Sequence, residues 1–249
     1  MGTSANRYSG KWNEDILRAG WSIPVLILTA LLISCNGVPV IKSFDLPVAS
    51  TTVQHCLKPF ANVPYRFVHA IEASLPGGQV GIFIGVTIVD PAAKTIHSIL
   101  LTQEGFILFD AQYAQSLKVN RALPPFNAEH LAGYIMEDVR LVFLAPEGAP
   151  ADVSVLEDGS AICRYPRTQN MIEDIIIYPD GAWSIKLYRR PHEQLREVDA
   201  HSMKNGFPEM LELSGFESRN YSLRMKLISA EPVSAEVFPL LPGEAPDDE

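Results

Sequence analysis

Positive charge is what this 249-residue chain has least to spare: 20 Lys and Arg stand against 29 Asp and Glu, for a formal net charge of −9. Such a chain repels phosphate backbones, and no basic patch interleaved with aromatics occurs, so nucleic-acid binding is excluded. Cysteine is also scarce, at three residues, and no Cys-x-x-Cys exists. The six histidines (His55, His69, His97, His130, His192, His201) include no i, i+4 pair, so the helical metal site is missing. No Gly-x-Ser-x-Gly elbow appears, and the glycines of "GGQVGIFIG" lack phosphate-loop spacing. One cluster, His192, Glu193, Asp199 and His201 in "RRPHEQLREVDAHS", is a conceivable metal site, with a solvated loop or short helix as the alternative. These absences leave no enzyme class with a motif behind it. No catalytic residue, resident metal or cofactor is assigned.

A long hydrophobic run is missing as well. The apolar stretch from Trp21 to Ile33 is interrupted by Pro24 and closed by Ser34, Asn36 and Gly37. At about 1.5 Å per residue it falls short of the roughly 20 residues that cross a bilayer. Lys11 and Arg18 precede it, giving the order of a secretory signal: basic segment, short apolar segment, small residues. Its end, Leu32-Ile33-Ser34-Cys35, resembles the lipobox of bacterial lipoproteins. That resemblance implies cleavage before Cys35 and acylation of its thiol and new amino group, a palmitate-type anchor whose buried CH₂ groups contribute about 0.8 kcal/mol each. An uncleaved signal anchor with an incidental cysteine is the alternative. Asn36, where an Asp would favour the inner membrane, implies the periplasmic face of the outer membrane. Residues 1–34 are thus expected to be a signal peptide, although Glu14 and Asp15 make its N-terminal region unusual.

Removing Cys35 leaves Cys56 and Cys163. Two thiols in an exported chain invite a disulfide, and two separate buried thiols are the alternative. A bridge closing a loop of about 107 residues would contribute roughly 4–5 kcal/mol in the chain-entropy description.

Residues 35–62, with Pro39, Pro47 and Pro59, read as a lipidated tether, and 231–249 as an acidic, Pro-rich tail. The domain is expected over 63–230. Alternating, β-branched runs at 65–74, 79–89, 95–102, 106–113 and 116–122 are separated by short turns, which reads as a meander of antiparallel hairpins. After Pro124-Pro125, "NAEHLAGYIMEDVRLVFL" spaces Leu131, Tyr134, Ile135, Val139 and Val142 helically, with Asn127 as N-cap; residues 140–144 also fit a strand. Strands then resume in "VSVLEDGSAICRYP" and "IEDIIIYPDGAWSIKLYRR", the latter turning at Pro179-Asp180-Gly181, and in 209–215 and 219–229. In the last, Tyr221, Leu223, Met225 and Leu227 share a face opposite Arg224 and Lys226. "GIFIGVTIV" and "FILF" are apolar on both faces, so the second face must be covered or line a cavity.

This order of elements resembles a family of uncharacterised bacterial outer-membrane lipoproteins with the LolA/LolB-like fold. It rests on the β-meander, one mid-chain helix ending in Glu137-Asp138-Val139-Arg140-Leu141, a Pro-Asp-Gly hairpin and a final Tyr221-x-Leu223-x-Met225 strand. The resemblance implies a mainly β (α+β) fold, an unclosed antiparallel barrel or highly curved sheet wrapped round a helix over an apolar cavity. It further implies carriage of a lipid or lipoprotein acyl chain, and no residue is carried over from the family. If the apolar strands line a cavity, Phe83, Ile107 and Trp183 are the candidate lining residues, and a well-packed core is the alternative. The alternative is a solid-cored, lipid-anchored scaffold or accessory subunit of an envelope assembly, with a protein partner and no ligand.

Overall fold

The computed structural model describes residues 50–168, 170–190, 193–217 and 220–234. Cys35, Asn36, the expected signal peptide, His192 and residues 235–249 of the expected tail lie outside them. Among the described residues two helices, α1 (Ser50–Cys56) and α2 (Leu131–Phe143), accompany one sheet of twelve strands. The first five are β1 (Tyr65–Leu75), β2 (Gln79–Asp90), β3 (Thr95–Leu101), β4 (Ile107–Tyr113) and β5 (Leu117–Ala122). After α2 come β6 (Asp152–Val155), β7 (Ala161–Arg167), β8 (Met171–Ile177), β9 (Trp183–Arg189), β10 (Glu193–Lys204), β11 (Phe207–Gly215) and β12 (Tyr221–Pro232).

The order across the sheet is β5-β4-β3-β2-β1-β12-β11-β10-β9-β8-β7-β6, antiparallel throughout. Each strand pairs with its chain neighbour except at the single join of β1 to β12 (Phe67 opposite Ala230, Ile71 opposite Met225). β5 and β6 are the edges and do not pair with each other, so the sheet is unclosed. At about 4.8 Å per strand a flat sheet of twelve would be more than about 50 Å wide. Yet α2 packs against β3, β4 and β5 while its Asp138 bonds to β10 and β12. Only a strongly curved sheet brings both flanks to one helix.

Alternation decides which side chains fill the concave face. Phe67, His69 and Ile71 of β1 point inward, as do Leu223, Met225 and Leu227 of β12, while Arg224 and Lys226 point out. The hairpin turns use residues suited to them: Gly181, at φ 89°, follows Pro179 and Asp180, and the Asp180 carboxylate accepts the Ala182 N–H at 3.0 Å. The two-sided apolar run of β2 is resolved unevenly. Its inner residue Val89 is fully buried, but on the convex side Val80 and Ile82 are 64 % and 54 % exposed.

Three expectations change. The segment "RRPHEQLREVDAHS" supplies β10 rather than a loop or short helix: from Arg196 on, its alternate residues Arg196, Val198 and Ala200 face the core. Helix α2 begins at Leu131, with His130 (φ 64°) as the cap position and no side-chain capping bond. Turns that bond Ala128 N–H to Pro125 and Leu131 N–H to Ala128 occupy the chain around Asn127, which therefore does not cap. The helix carries Met136, Asp138, Leu141, Val142 and Phe143 inward and leaves Tyr134 half exposed, and residues 140–143 stay helical. Finally, residues 50–62, expected as tether, include α1, and Cys56 and Phe60 join the core.

Candidate functional site

At one end of the concave face, where the β8–β9 and β10–β11 turns lie, an apolar cavity of about 20 Å³ opens to the surface. It is lined by Phe67 and His69 of β1, Phe143 of α2, Trp183 of β9, Phe207 of β11 and Leu227 of β12, with Pro59 and Ala61 from the segment after α1. Aromatic edges set its shape. Phe67 meets Phe207 edge-on with centroids 5.1 Å apart and Phe143 at 5.2 Å, while Phe143 lies 5.8 Å from the His69 ring. Contacts of this kind add about 0.5–1.5 kcal/mol each beyond the area they bury. They fasten the C-terminal end of α2 to β1.

Cys56 and Cys163 are bridged, with Cα atoms 6.2 Å apart and 107 residues between them in sequence. The bridge holds α1 against β7 and so fixes where the following Pro59–Ala61 segment meets the cavity.

Two polar groups stand in this apolar setting. His69 is 3 % exposed, and burial pulls its pKa down from 6.5 to about 4, so the ring is neutral at pH 7. Its ring lies against those of Phe67 and Phe143, with centroids 6.3 and 5.8 Å away. Trp183 is also 3 % exposed, and its indole N–H has no hydrogen-bond partner among the described residues.

Toward the other end, α2 is held by charge. Arg196 Nε donates to Asp138 Oδ1 at 2.8 Å, and the Tyr221 hydroxyl donates to Asp138 Oδ2. Arg196 Nη1 also donates to Glu217 Oε2 at 3.0 Å and to the Leu195 carbonyl at 2.9 Å. Burial pushes the Asp138 carboxyl up, against the pull of Arg196 and Tyr221. Burial also works against the Arg196 guanidinium, yet Asp138, Tyr221 and Glu217 hold its pKa above the ordinary value. Gly215 makes the arrangement sterically feasible, because a Cβ there would collide with Cε1 of Tyr221. On the other flank of α2, the Arg140 guanidinium sits 4.0 Å from the centroid of the Tyr113 ring.

Of the three residues expected to line a cavity, Trp183 lines this one. Phe83 lies on β2 with its ring 5.8 Å from Phe126, and Ile107 opens β4, half-buried; neither borders the cavity. Among the described residues no three His, Cys, Asp or Glu side chains are placed to hold a metal ion. Glu193, from the conceivable metal cluster, pairs with Arg189 at 2.9 Å. The sequence reading missed the Asp138–Arg196 pair. Its signal was present: a carboxylate on the inward side of an amphipathic helix, and an Arg in phase with Val198 and Ala200.

No protein-family model and no curated protein matches the chain. Solved structures similar to it include a LolA-superfamily protein from Nitrosomonas europaea, at 7 % identity, a TM-score of 0.45 and coverage of 77 % of this chain and 97 % of that one. Another is a putative outer-membrane lipoprotein-sorting protein domain from Vibrio parahaemolyticus, at 6 %, 0.45, 74 % and 92 %. A third is a DUF1329-family protein from Desulfovibrio piger, at 9 %, 0.45, 76 % and 96 %.

Proposed function

We propose that this chain is a non-enzymatic lipoprotein, anchored through Cys35 to the periplasmic face of the outer membrane, that takes an acyl chain or similar apolar ligand between α2 and the concave face. The observation that carries the reading is the apolar cavity, open at one end and roofed by one helix of 13 residues. At about 20 Å³ it has space for about one water-sized group, so a longer chain enters by displacing α2 from the sheet. The apolar residues that roof and floor it would then line the ligand instead of each other.

The second reading, an anchored scaffold with a filled core, is favoured by that same small volume and by the exposed Val80, Ile82 and Ile228 on the convex face. Native mass spectrometry of the full chain isolated from membranes separates the two. Acyl ligand binding predicts a complex heavier by one lipid-like molecule. Repeated recovery of bare protein, or of a stable protein complex without lipid, supports the scaffold. For the anchor, Cys35→Ser is expected to remain unprocessed and unlipidated; normal maturation of that variant contradicts the lipobox.

A further inference from the structure

Resting on that reading, we infer that the cavity end is a headgroup site for an uncharged acyl carbonyl, an ester or amide rather than a free carboxylate, held by the Trp183 N–H and the His69 ring.

The donor is the first ground. A buried N–H without a partner costs roughly the desolvation of the group, which is why buried indole N–H groups ordinarily find an acceptor. Trp183 lines the cavity and has no acceptor among the described residues. Indole donates only, so what completes it must accept, as a carbonyl oxygen does.

The second ground is charge. Among the described residues no Lys, Arg, Asp or Glu lines the cavity. The nearest titratable lining group, His69, is neutral at pH 7. A carboxylate seated there would be a buried charge without a counter-ion, a costly arrangement. The neutral imidazole offers one donor and one acceptor nitrogen, so it adds a second bond to a carbonyl or takes the N–H of an amide.

The third ground is position. The cavity opens to the surface, and its lining residue Leu211 leads along the concave face to Met225, its cross-strand partner, and to Leu213 on the same strand. A headgroup at the open end leaves the alkyl chain to run inward beneath α2.

The test measures equilibrium binding of four radiolabelled probes to the full chain, kept soluble in a fluorinated surfactant whose tail does not mix with hydrocarbon. The probes are tetradecane, methyl myristate, N-methylmyristamide and sodium myristate. The ester and the amide are expected to bind roughly three- to ten-fold more tightly than tetradecane, the size of one added hydrogen bond, and more tightly than myristate. Trp183→Phe keeps the aromatic bulk and moves the ester toward the alkane, and Trp183→Phe with His69→Phe brings it to the alkane's level. His69→Phe lowers the amide more than the ester if the amide N–H is read, which separates N-acyl from ester-linked lipids as the source of the carbonyl. Equal binding of all four probes overturns the headgroup site while leaving the apolar trough intact, as does myristate in first place. Failure of every probe to bind overturns both. The ranking in the unaltered chain decides the matter even if Trp183→Phe does not fold.

Discussion

Helix α2 is fastened to the sheet by opposite means at its two contacts. At the cavity end Phe143 is held by the rings of Phe67 and His69; further back, Asp138 is held by Arg196 and Tyr221. The apolar contacts are non-directional, and another apolar group of similar shape can replace them. The buried carboxylate has no such substitute, since removing Arg196 leaves Asp138 a buried charge without a cation, and removing Asp138 leaves Arg196 only the more exposed Glu217. The helix is therefore pinned at one point and exchangeable at the other, as a roof over an apolar site needs to be.

The largest way to break that contrast is at the pin. Asp138→Ala leaves Arg196 buried without its main partner and is expected to cost about 3–5 kcal/mol in denaturant unfolding. A loss below about 1 kcal/mol would mean that the pair is not what holds α2.

Next is the bridge at the cavity end. Cys56→Ser with Cys163→Ser is expected to lower stability by about 2–4 kcal/mol, read as a shift in urea midpoint. The same double variant frees the Pro59–Ala61 segment, so acyl binding should weaken along with it.

His69 sharpens the comparison through pH. Its folded pKa, about 4, lies below its unfolded value of 6.5, so the unfolded chain takes up the proton first. The stability this group contributes is full above about pH 6.5 and is lost as pH falls toward 4. The shift corresponds to about 3 kcal/mol at 1.36 kcal/mol per pKa unit. Thermal midpoints across that window should fall more for the unaltered chain than for His69→Phe. Parallel curves would mean that His69 is not buried in neutral form.

The smallest effect tests how Tyr221 reaches the pin. Gly215→Ala pushes the Tyr221 ring off the backbone and should cost about 1–2 kcal/mol. Combined with Asp138→Ala it should cost less than the two separately, because both act on one contact.

Much of the architecture was legible in sequence. The hairpins from Tyr65 to Ala122 and the Pro179-Asp180-Gly181 turn carry local signals, period-two alternation and turn chemistry, and these fix strands without reference to the rest of the chain. β10 was misread because its charged side chains mask the alternation. Once Arg196 is given a buried partner, Arg196, Val198 and Ala200 form the inward set. The start of α2 was misplaced because Asn127 is spent in a turn, a competition that composition does not reveal. The site was harder. Phe83, Ile107 and Trp183 sit on strands of equal apolar character, and only the curvature of the sheet brings Trp183 to Phe67 and Phe143 while leaving the other two elsewhere. Contacts between residues so far apart in sequence follow from the fold and not from any local pattern.

The central claim, that acyl chains occupy the space between α2 and the sheet, is tested most directly by photocrosslinking in cells. Phe207, at the cavity, is replaced by benzoyl-phenylalanine, and Phe216, 45 % exposed beyond β11, serves as the comparison site. The account predicts a lipid-mass adduct at position 207 after irradiation and none at 216. Equal lipid adducts at both positions, or protein adducts alone at 207, would contradict it.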